Sequence, residues 1–244
     1  MRVAVLSDIH GNADALAAVL RDAKDLAPDV IVNLGDCFSG PLDAVRTHSL
    51  LTGAGIATTV RGNHDRALLD PPAMDAWDRM TEPKLTQDMR AWLGSLPATA
   101  VLDEMFLCHA TPQDDVSYWM EEHTADGMAR RASLEQITAR AAGIAQPVML
   151  CGHTHVARAV HLADGRLVVN PGSVGVPGYV DDPPNTARRV SAGTPFASYA
   201  TLDRRDGVWS VSQHLVPYDT GPAIELARAA GCSDWVTALS TGWL

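Results

Sequence analysis

Asp8 and His10, Asp36, the run Asn63-His64-Asp65, His109, and the pair His153 and His155 carry side chains that bind divalent cations, and each follows directly on a short apolar run. The set is aspartate, histidine and asparagine without cysteine thiolate, which suits hard to borderline ions such as Mn, Fe, Ni or Zn rather than a structural thiolate zinc site. Leaving Asp65 aside, two aspartates, one asparagine and five of the nine histidines make eight such groups, more than one ion can use. Two ions about 3.5–4 Å apart that share a carboxylate can polarise a phosphoryl oxygen and generate a hydroxide for in-line attack. A lone histidine is more often a satisfied core residue, but five of them at the ends of predicted strands argue for a site.

For these residues to meet, the apolar runs must be strands of an open α/β sheet, whose ligands bind in the crevice beyond the carboxyl ends of the strands. The patterning predicts this. Residues 2–6 read as a strand, 12–26 as a helix capped by Asn12 and closed before Pro28, 30–34 as a strand, 42–51 as a helix and 56–60 as a strand. Helical pieces are expected over 66–95, a strand over 101–108, a helix over 134–142 and a strand over 147–151. Asp164-Gly165 between 157–162 and 166–170 signals a hairpin, as does Arg205-Asp206-Gly207 between 198–202 and 208–216. The second half is therefore expected to be β-rich, with residues 178–194 as an exposed, Pro- and Gly-rich loop. The expected organisation is one domain over 1–244 with a helical cap or insertion over about 66–98.

Lys+Arg 19 against Asp+Glu 29 gives a net charge of −10 over 244 residues, a balance that repels nucleic acid at long range. Any phosphate ligand must then be met by metal ions or a few local cations. The only lysines, Lys24 and Lys84, lie outside any Gly-rich loop, and no Gly-x-x-x-x-Gly-Lys-Ser/Thr run exists, which excludes a P-loop nucleotide site. No apolar run approaches the roughly 18 residues of a membrane helix. The four cysteines, Cys37, Cys108, Cys151 and Cys232, form no Cys-x-x-Cys pair and read as reduced thiols. The expectation is a cytoplasmic protein acting on a small phosphoester, with no stable nucleic-acid or membrane partner.

Ser7-Asp8-Ile9-His10-Gly11-Asn12, Gly35-Asp36, Arg61-Gly62-Asn63-His64-Asp65, His109 and Gly152-His153-Thr154-His155 together resemble the five ordered blocks of the calcineurin-like metallophosphoesterases. The run Asn170-Pro171-Gly172-Ser173-Val174-Gly175 resembles the loop after the metal histidines in small bacterial members of that family. The resemblance spans about residues 2–178. It implies a four-layer α/β/β/α sandwich with a dinuclear metal site at the carboxyl ends of the strands. It further implies that Asp8, His10 and His155 hold one divalent ion, that Asn63, His109 and His153 hold the other, and that Asp36 bridges them. His64 would then be the general acid or transition-state stabiliser, with Asp65 as its orienting partner.

Asn12 and Arg61 are candidate substrate contacts, set against plainer roles as a helix cap and a surface ion pair. Trp77 and Trp92, with Met74, Met80 and Met89, read either as a substrate-facing cap or as core. Arg188 and Arg189 read as a phosphate contact or a solvated pair, and Tyr118 and Trp119 as base-stacking residues. Protein phosphatases of this family carry an Asp-Arg pair shortly after the bridging aspartate; the run here is Gly35-Asp36-Cys37-Phe38-Ser39-Gly40, which weakens that reading. The leading expectation is phosphodiester hydrolysis, possible substrates including nucleotides. The alternatives are a dinucleoside polyphosphate hydrolase, a phosphomonoesterase or protein phosphatase, and a non-catalytic scaffold of the same fold.

Overall fold

A computed structural model describes residues 1–181 and 188–244. The chain opens with β1 (Arg2–Leu6), α1 (Ala13–Asp25), β2 (Val30–Asn33), α2 (Ala44–Gly53) and β3 (Thr58–Thr59), then α3 (Asn63–Ala67), α4 (Ala76–Thr81) and α5 (Gln87–Ser95). It continues through β4 (Thr99–Leu102), β5 (Met105–Cys108), β6 (Glu121–His123), β7 (Ala129–Arg131), α6 (Leu134–Arg140), β8 (Val148–Leu150), β9 (Arg158–His161) and β10 (Leu167–Asn170). Two further hairpins, β11 (Gly178–Asp181) with β12 (Arg188–Ser191) and β13 (Ala197–Arg205) with β14 (Val208–Val216), precede α7 (Gly221–Ala229) and α8 (Ser233–Thr241).

Strand alternation explains the layering. Side chains of successive strand residues point to opposite faces, so a strand buried on both sides is apolar throughout. In β1, Val3 and Val5 pack with Met105, Leu107, Val148 and Leu150 between two sheets, while Ala4 and Leu6 pack on Leu16, Val19 and Ala23 of α1. On the far side, Met149 and Val168 meet Ile137 of α6, its C-cap Ala141 and the buried Trp119. The result is helices, sheet, sheet, helices. One sheet has the order β14-β13-β1-β2-β3 and the other β4-β5-β8-β10-β9. Their central strands, β1-β2-β3 and β5-β8-β10, run parallel within each sheet. Because parallel neighbours end together, the candidate metal ligands of each sheet gather at that sheet's carboxyl rim.

Asn12 caps α1 as expected, its side-chain oxygen accepting from Ala15 N at 3.1 Å. Three elements differ from the sequence reading. Residues 101–108 do not form one strand: the chain turns at Asp103-Glu104, with Asp103 at φ 51°, and β4 folds back on β5. The expected loop over 178–194 contains the β11/β12 hairpin, residues 182–187 lying outside those described. The final segment holds two helices instead of further β structure, since Ala223, Ala227, Trp235 and Leu239 bury against Leu42 and Val176. Within 66–98, α5 is core rather than cap, with Met89 and Leu93 buried beneath the first sheet's helices. Among the described residues no helix is long and apolar enough to cross a membrane.

Candidate metal centre

The loops after β1, β2, β3, β5 and β8 converge on one rim. Ligand-capable atoms of Asp8, His10 and His155 lie within 4.8 Å of one another, as do those of Asp36, His109 and His153. Each group draws on both sheets. Asp36 stands between the groups: its Oδ2 is 3.1 Å from His109 Nε2 and 3.8 Å from His10 Nε2. Its Oδ1 accepts from the His64 backbone N–H at 3.0 Å. The Asp8 carboxylate accepts from His153 N at 3.1 Å and faces His155 Nε2 at 3.4 Å.

Backbone geometry bends to place these groups. Asp8, His10, Asp36, His153 and His155 all have positive φ, between 50° and 68°, a region that non-glycine residues rarely occupy. Such strain, of order 1–3 kcal/mol per residue, persists where the surroundings over-determine it, characteristically at functional sites. Here the surroundings are hydrogen bonds: Asp8 N to Gly35 O, His10 N to Asp36 O and Gly175 N to Asp8 O, each at 3.0 Å. Asp65 belongs to the same scaffold. Its carboxylate accepts from the backbone N–H groups of Asp36 at 2.8 Å, Cys37 at 2.9 Å and Gly62 at 3.0 Å, so it anchors the loop after β2 and does not orient His64 as expected.

Four histidines are locked into one tautomer. His10 Nδ1 donates to Ser39 O at 3.0 Å, His109 Nδ1 to Leu34 O at 2.7 Å, His155 Nδ1 to Val176 O at 2.8 Å and His153 Nε2 to Val116 O at 2.9 Å. A ring nitrogen tied to a backbone carbonyl carries the proton, so the other nitrogen turns a lone pair to the centre, which is how metal-binding histidines are prepared. Nε2 of His10 and Nε2 of His155 accordingly face each other at 3.3 Å. The Asn63 amide oxygen lies 3.1 Å from His109 Nε2 and from His153 Nδ1, and 3.3 Å from Asp36 Oδ2. Hydrogen bonding favours the amide turned over, with its NH₂ to these groups; in either orientation Asn63 converges with His109, His153 and Asp36 on one point. The residues therefore fit divalent ions.

Charge points the same way. Burial pushes the Asp8 and Asp36 carboxyls up, but the imidazoles of His155 and His109 for the first, and of His109 and His64 for the second, outweigh it and hold both below the usual range. Burial drives His10 down to about 3 and His153 down to about 4, leaving them neutral as ligands must be. His109 is opposite: despite burial, Asp36 and Asp8 draw it up to about 10, so a proton there and a divalent cation are alternative ways to balance Asp36.

His64 stands beside this cluster. Burial lowers it, yet the charges of Asp36 and Asp78 prevail and raise it to about 9. Its Nδ1 is 3.0 Å from Asp78 Oδ1, to which Ser39 Oγ donates at 2.7 Å. Asp78 is the partner that sequence reasoning assigned to Asp65. The run Asp75-x-x-Asp78 signalled only a capping box for α4, which it also forms.

These groups open into a cleft of about 550 Å³ walled by Trp77, Val116, Tyr118, Tyr179 and Val180. The Tyr118 and Tyr179 hydroxyls hydrogen-bond to each other across it. Asn12 and Arg61 do not line the cleft. The Asn12 amide is spent on the helix cap, on Gly175 O at 2.9 Å and on Tyr218 Oη at 3.0 Å, so it braces the rim without reaching a substrate. Trp119 is core, its Nε1 donating to Ile137 O at 3.1 Å. Trp92 packs on Phe38, ring centroids 5.4 Å apart, whereas Trp77 faces the cleft.

The sequence profile of the calcineurin-like phosphoesterase superfamily domain matches residues 1–194. The chain belongs to the calcineurin-like phosphoesterases. It is similar to the uncharacterized protein MJ0912 of Methanocaldococcus jannaschii, 23% identical over 254 residues that cover 96% of this chain and 95% of that protein. It is also similar to the crystal structure of a metallophosphoesterase from Sphaerobacter thermophilus, at 26% identity and a TM-score of 0.76 over 99% of this chain and 100% of that one. This calcineurin-like phosphoesterase is accordingly a phosphoester hydrolase with a four-layer fold and clustered side chains for divalent metal ions.

In this phosphoesterase Gly62 touches the centre without ligating it. A Cβ there would overlap Asp36 Oδ1 and lie 2.6 Å from Asp36 N. Gly62→Ala is expected to displace the Asp36 carboxylate and weaken metal binding by about 10–100-fold, the usual effect of disturbing groups that orient ligands. Competition with a chromophoric chelator measures it.

Proposed function

We propose that this chain hydrolyses a phosphodiester bond in a small organic phosphate, with Asp8, His10 and His155 holding one divalent ion, Asn63, His109 and His153 a second, and Asp36 shared. The observation that carries the choice of bond is the charge of the cleft: among the described residues lining it there is no lysine or arginine, and Asp75 adds a carboxylate. A dinucleoside polyphosphate brings several negative charges along its chain and needs cationic side chains to meet them. A diester brings one, which the ions themselves offset. The lack of an arginine also disfavours a phosphoprotein substrate.

When bound, the ions supply Lewis acidity and positive charge to the phosphoryl group. The chain's own residues do the rest. With Nδ1 of His64 turned to Asp78, Nε2 is the nitrogen left for substrate, and it donates a proton to the departing oxygen. That help matters most for alkoxide leaving groups, which diesters carry. The aromatic walls limit water around the reacting bond. The ligand chemistry suits Mn, Fe, Ni or Zn, and free thiols at Cys37, Cys108, Cys151 and Cys232 suit a cytoplasmic setting.

The test is turnover by protein stripped of metal and reloaded with Mn, Ni, Zn or Mg, on an aryl phosphodiester, an aryl phosphomonoester and a dinucleoside polyphosphate. The diester is expected to have the highest kcat/KM. A higher value for the polyphosphate would overturn the proposal.

A further inference from the structure

Trp77 lines the cleft beside His64. It is the second residue of α4, next to Asp78, and half-buried. Its indole lies nearly parallel to the His64 imidazole, 5.7 Å between centroids at 15°, and edge-on to His10 at 5.5 Å and 89°. Behind it, Trp235 holds the ring in place at 4.7 Å and 66°. Tyr179 stands across from it at 6.5 Å and 85°. Tyr118 lies on the other flank, beside His153 at 5.2 Å. Since the proton donor is His64, the oxygen that leaves comes to His64, and whatever that oxygen carries lies against the neighbouring indole. A second cavity of about 210 Å³ lies past the Trp77 and Tyr179 rings, so the wall is an edge that a ring can overhang, not a dead end.

We propose that Trp77 is a specificity-determining residue, its indole the platform for the leaving group, and that the cleft selects phosphodiesters whose leaving group carries a planar, uncharged aromatic ring. The proposal rests on the phosphodiesterase reading above. A flat π-face fits a wall built of Trp77 and Tyr179. A carboxylated or phosphorylated leaving group is disfavoured, because Asp75 lines the same side and no lysine or arginine is among the described lining residues. Aryl and nucleobase rings share the required chemistry.

The experiment uses Mn-loaded protein and two methyl phosphodiesters whose leaving groups have comparable acidity, one a phenol and one hexafluoroisopropanol, so that ring stacking is separated from leaving-group chemistry. The methyl ester of a nucleoside 5′-phosphate is the third substrate. Wild type is expected to favour the phenyl ester by about tenfold in kcat/KM, as aromatic stacking of one ring commonly gives. Trp77→Leu is expected to bring that ratio close to one, and Trp77→Phe to keep most of it. Loss of the nucleoside ester's turnover in Trp77→Leu, in proportion to the phenyl ester's, assigns the nucleobase as ring; a loss confined to the phenyl ester assigns a simple aryl group. An unchanged phenyl-to-aliphatic ratio in Trp77→Leu overturns the proposal while leaving the phosphodiesterase reading intact. Calorimetric binding of phenylphosphonate against methylphosphonate reads the same preference without turnover. If no diester is hydrolysed under any metal, the phosphodiesterase reading fails, and the phosphonate pair still decides whether Trp77 holds a ring. Should Trp77→Leu fold poorly, Trp77→Met gives the same comparison with similar side-chain volume.

Discussion

Asp78→Asn is expected to slow hydrolysis of a diester with an alcohol leaving group by about 10²–10³-fold, within the range that general acid catalysis supplies, and to slow a 4-nitrophenyl diester by less than about tenfold. The asparagine keeps the size of the side chain, its place in α4 and an oxygen for Ser39 Oγ; the bond from the backbone N–H of residue 78 to Asp75 Oδ1 and the surrounding packing survive, and only the bond from Asp75 N to the second oxygen is given up. What it removes is the negative charge 3.0 Å from His64 Nδ1, in a position only 1% exposed where water cannot replace it. His64 keeps an acceptor for Nδ1 but loses the counter-charge that favours its protonated form. An alkoxide cannot leave without that proton, whereas 4-nitrophenolate can. Equal losses on the two substrates would show that Asp78 only supports the fold of the cleft.

Asp36→Asn is expected to abolish tight binding of one of two equivalents of divalent metal and to lower kcat/KM by on the order of 10³-fold or more, the several kcal/mol that a metal's charge stabilisation supplies. The reason lies in the polar atoms gathered around Oδ2. His109 Nε2 at 3.1 Å, the Asn63 oxygen at 3.3 Å and His10 Nε2 at 3.8 Å all turn toward it. A carboxylate among them demands a cation. An amide instead presents hydrogens, satisfies its neighbours and leaves the second ion without a shared anionic ligand. Metal content after gel filtration, with melting temperature measured with and without Mn, reads the effect: the metal-dependent rise shrinks in the variant. Two tightly bound equivalents with full activity would refute the bridging role of Asp36.

Much of the centre was legible in the sequence because a parallel sheet turns a linear regularity into a spatial one. Asp8, Asp36, His109 and His153 each follow a strand, and strands that run parallel end at one rim. Asp78 was not legible in that way. It sits in a short helix after a loop, its spacing from Asp75 explains itself as a cap, and only the packing of α4 against the loop carrying Ser39 brings it to His64. Asp65 misled for the converse reason: next to His64 in sequence, it points its carboxylate back to the amides of Asp36 and Cys37. The turn at Asp103-Glu104 was hidden because two residues interrupt the apolar pattern too briefly to be distinguished from one long strand. The helices α7 and α8 are short, and they hold their shape through burial of Trp235 and Leu239 against Leu42 more than through their own propensity.

Both candidate ligand sets straddle the two sheets, and this gives the ions a mechanical role beside the chemical one. Asp8 and His155, or Asp36 and His153, are far apart along the chain and belong to different sheets, so a cation held by them would act as a rivet at the rim. The rest of the seam is packed by Val5, Leu34, Leu107 and Leu150, which resist sliding less than separation, with polar links such as Gln213 Nε2 to Asn170 O at 3.0 Å and Arg204 to Glu104 at 2.8 Å. Chelation would therefore do more than silence the enzyme. It would let the two sheets shear at the open end, raising the rate at which the native state is lost and exposing the rim loops to proteases, even where the equilibrium stability of the core is little changed.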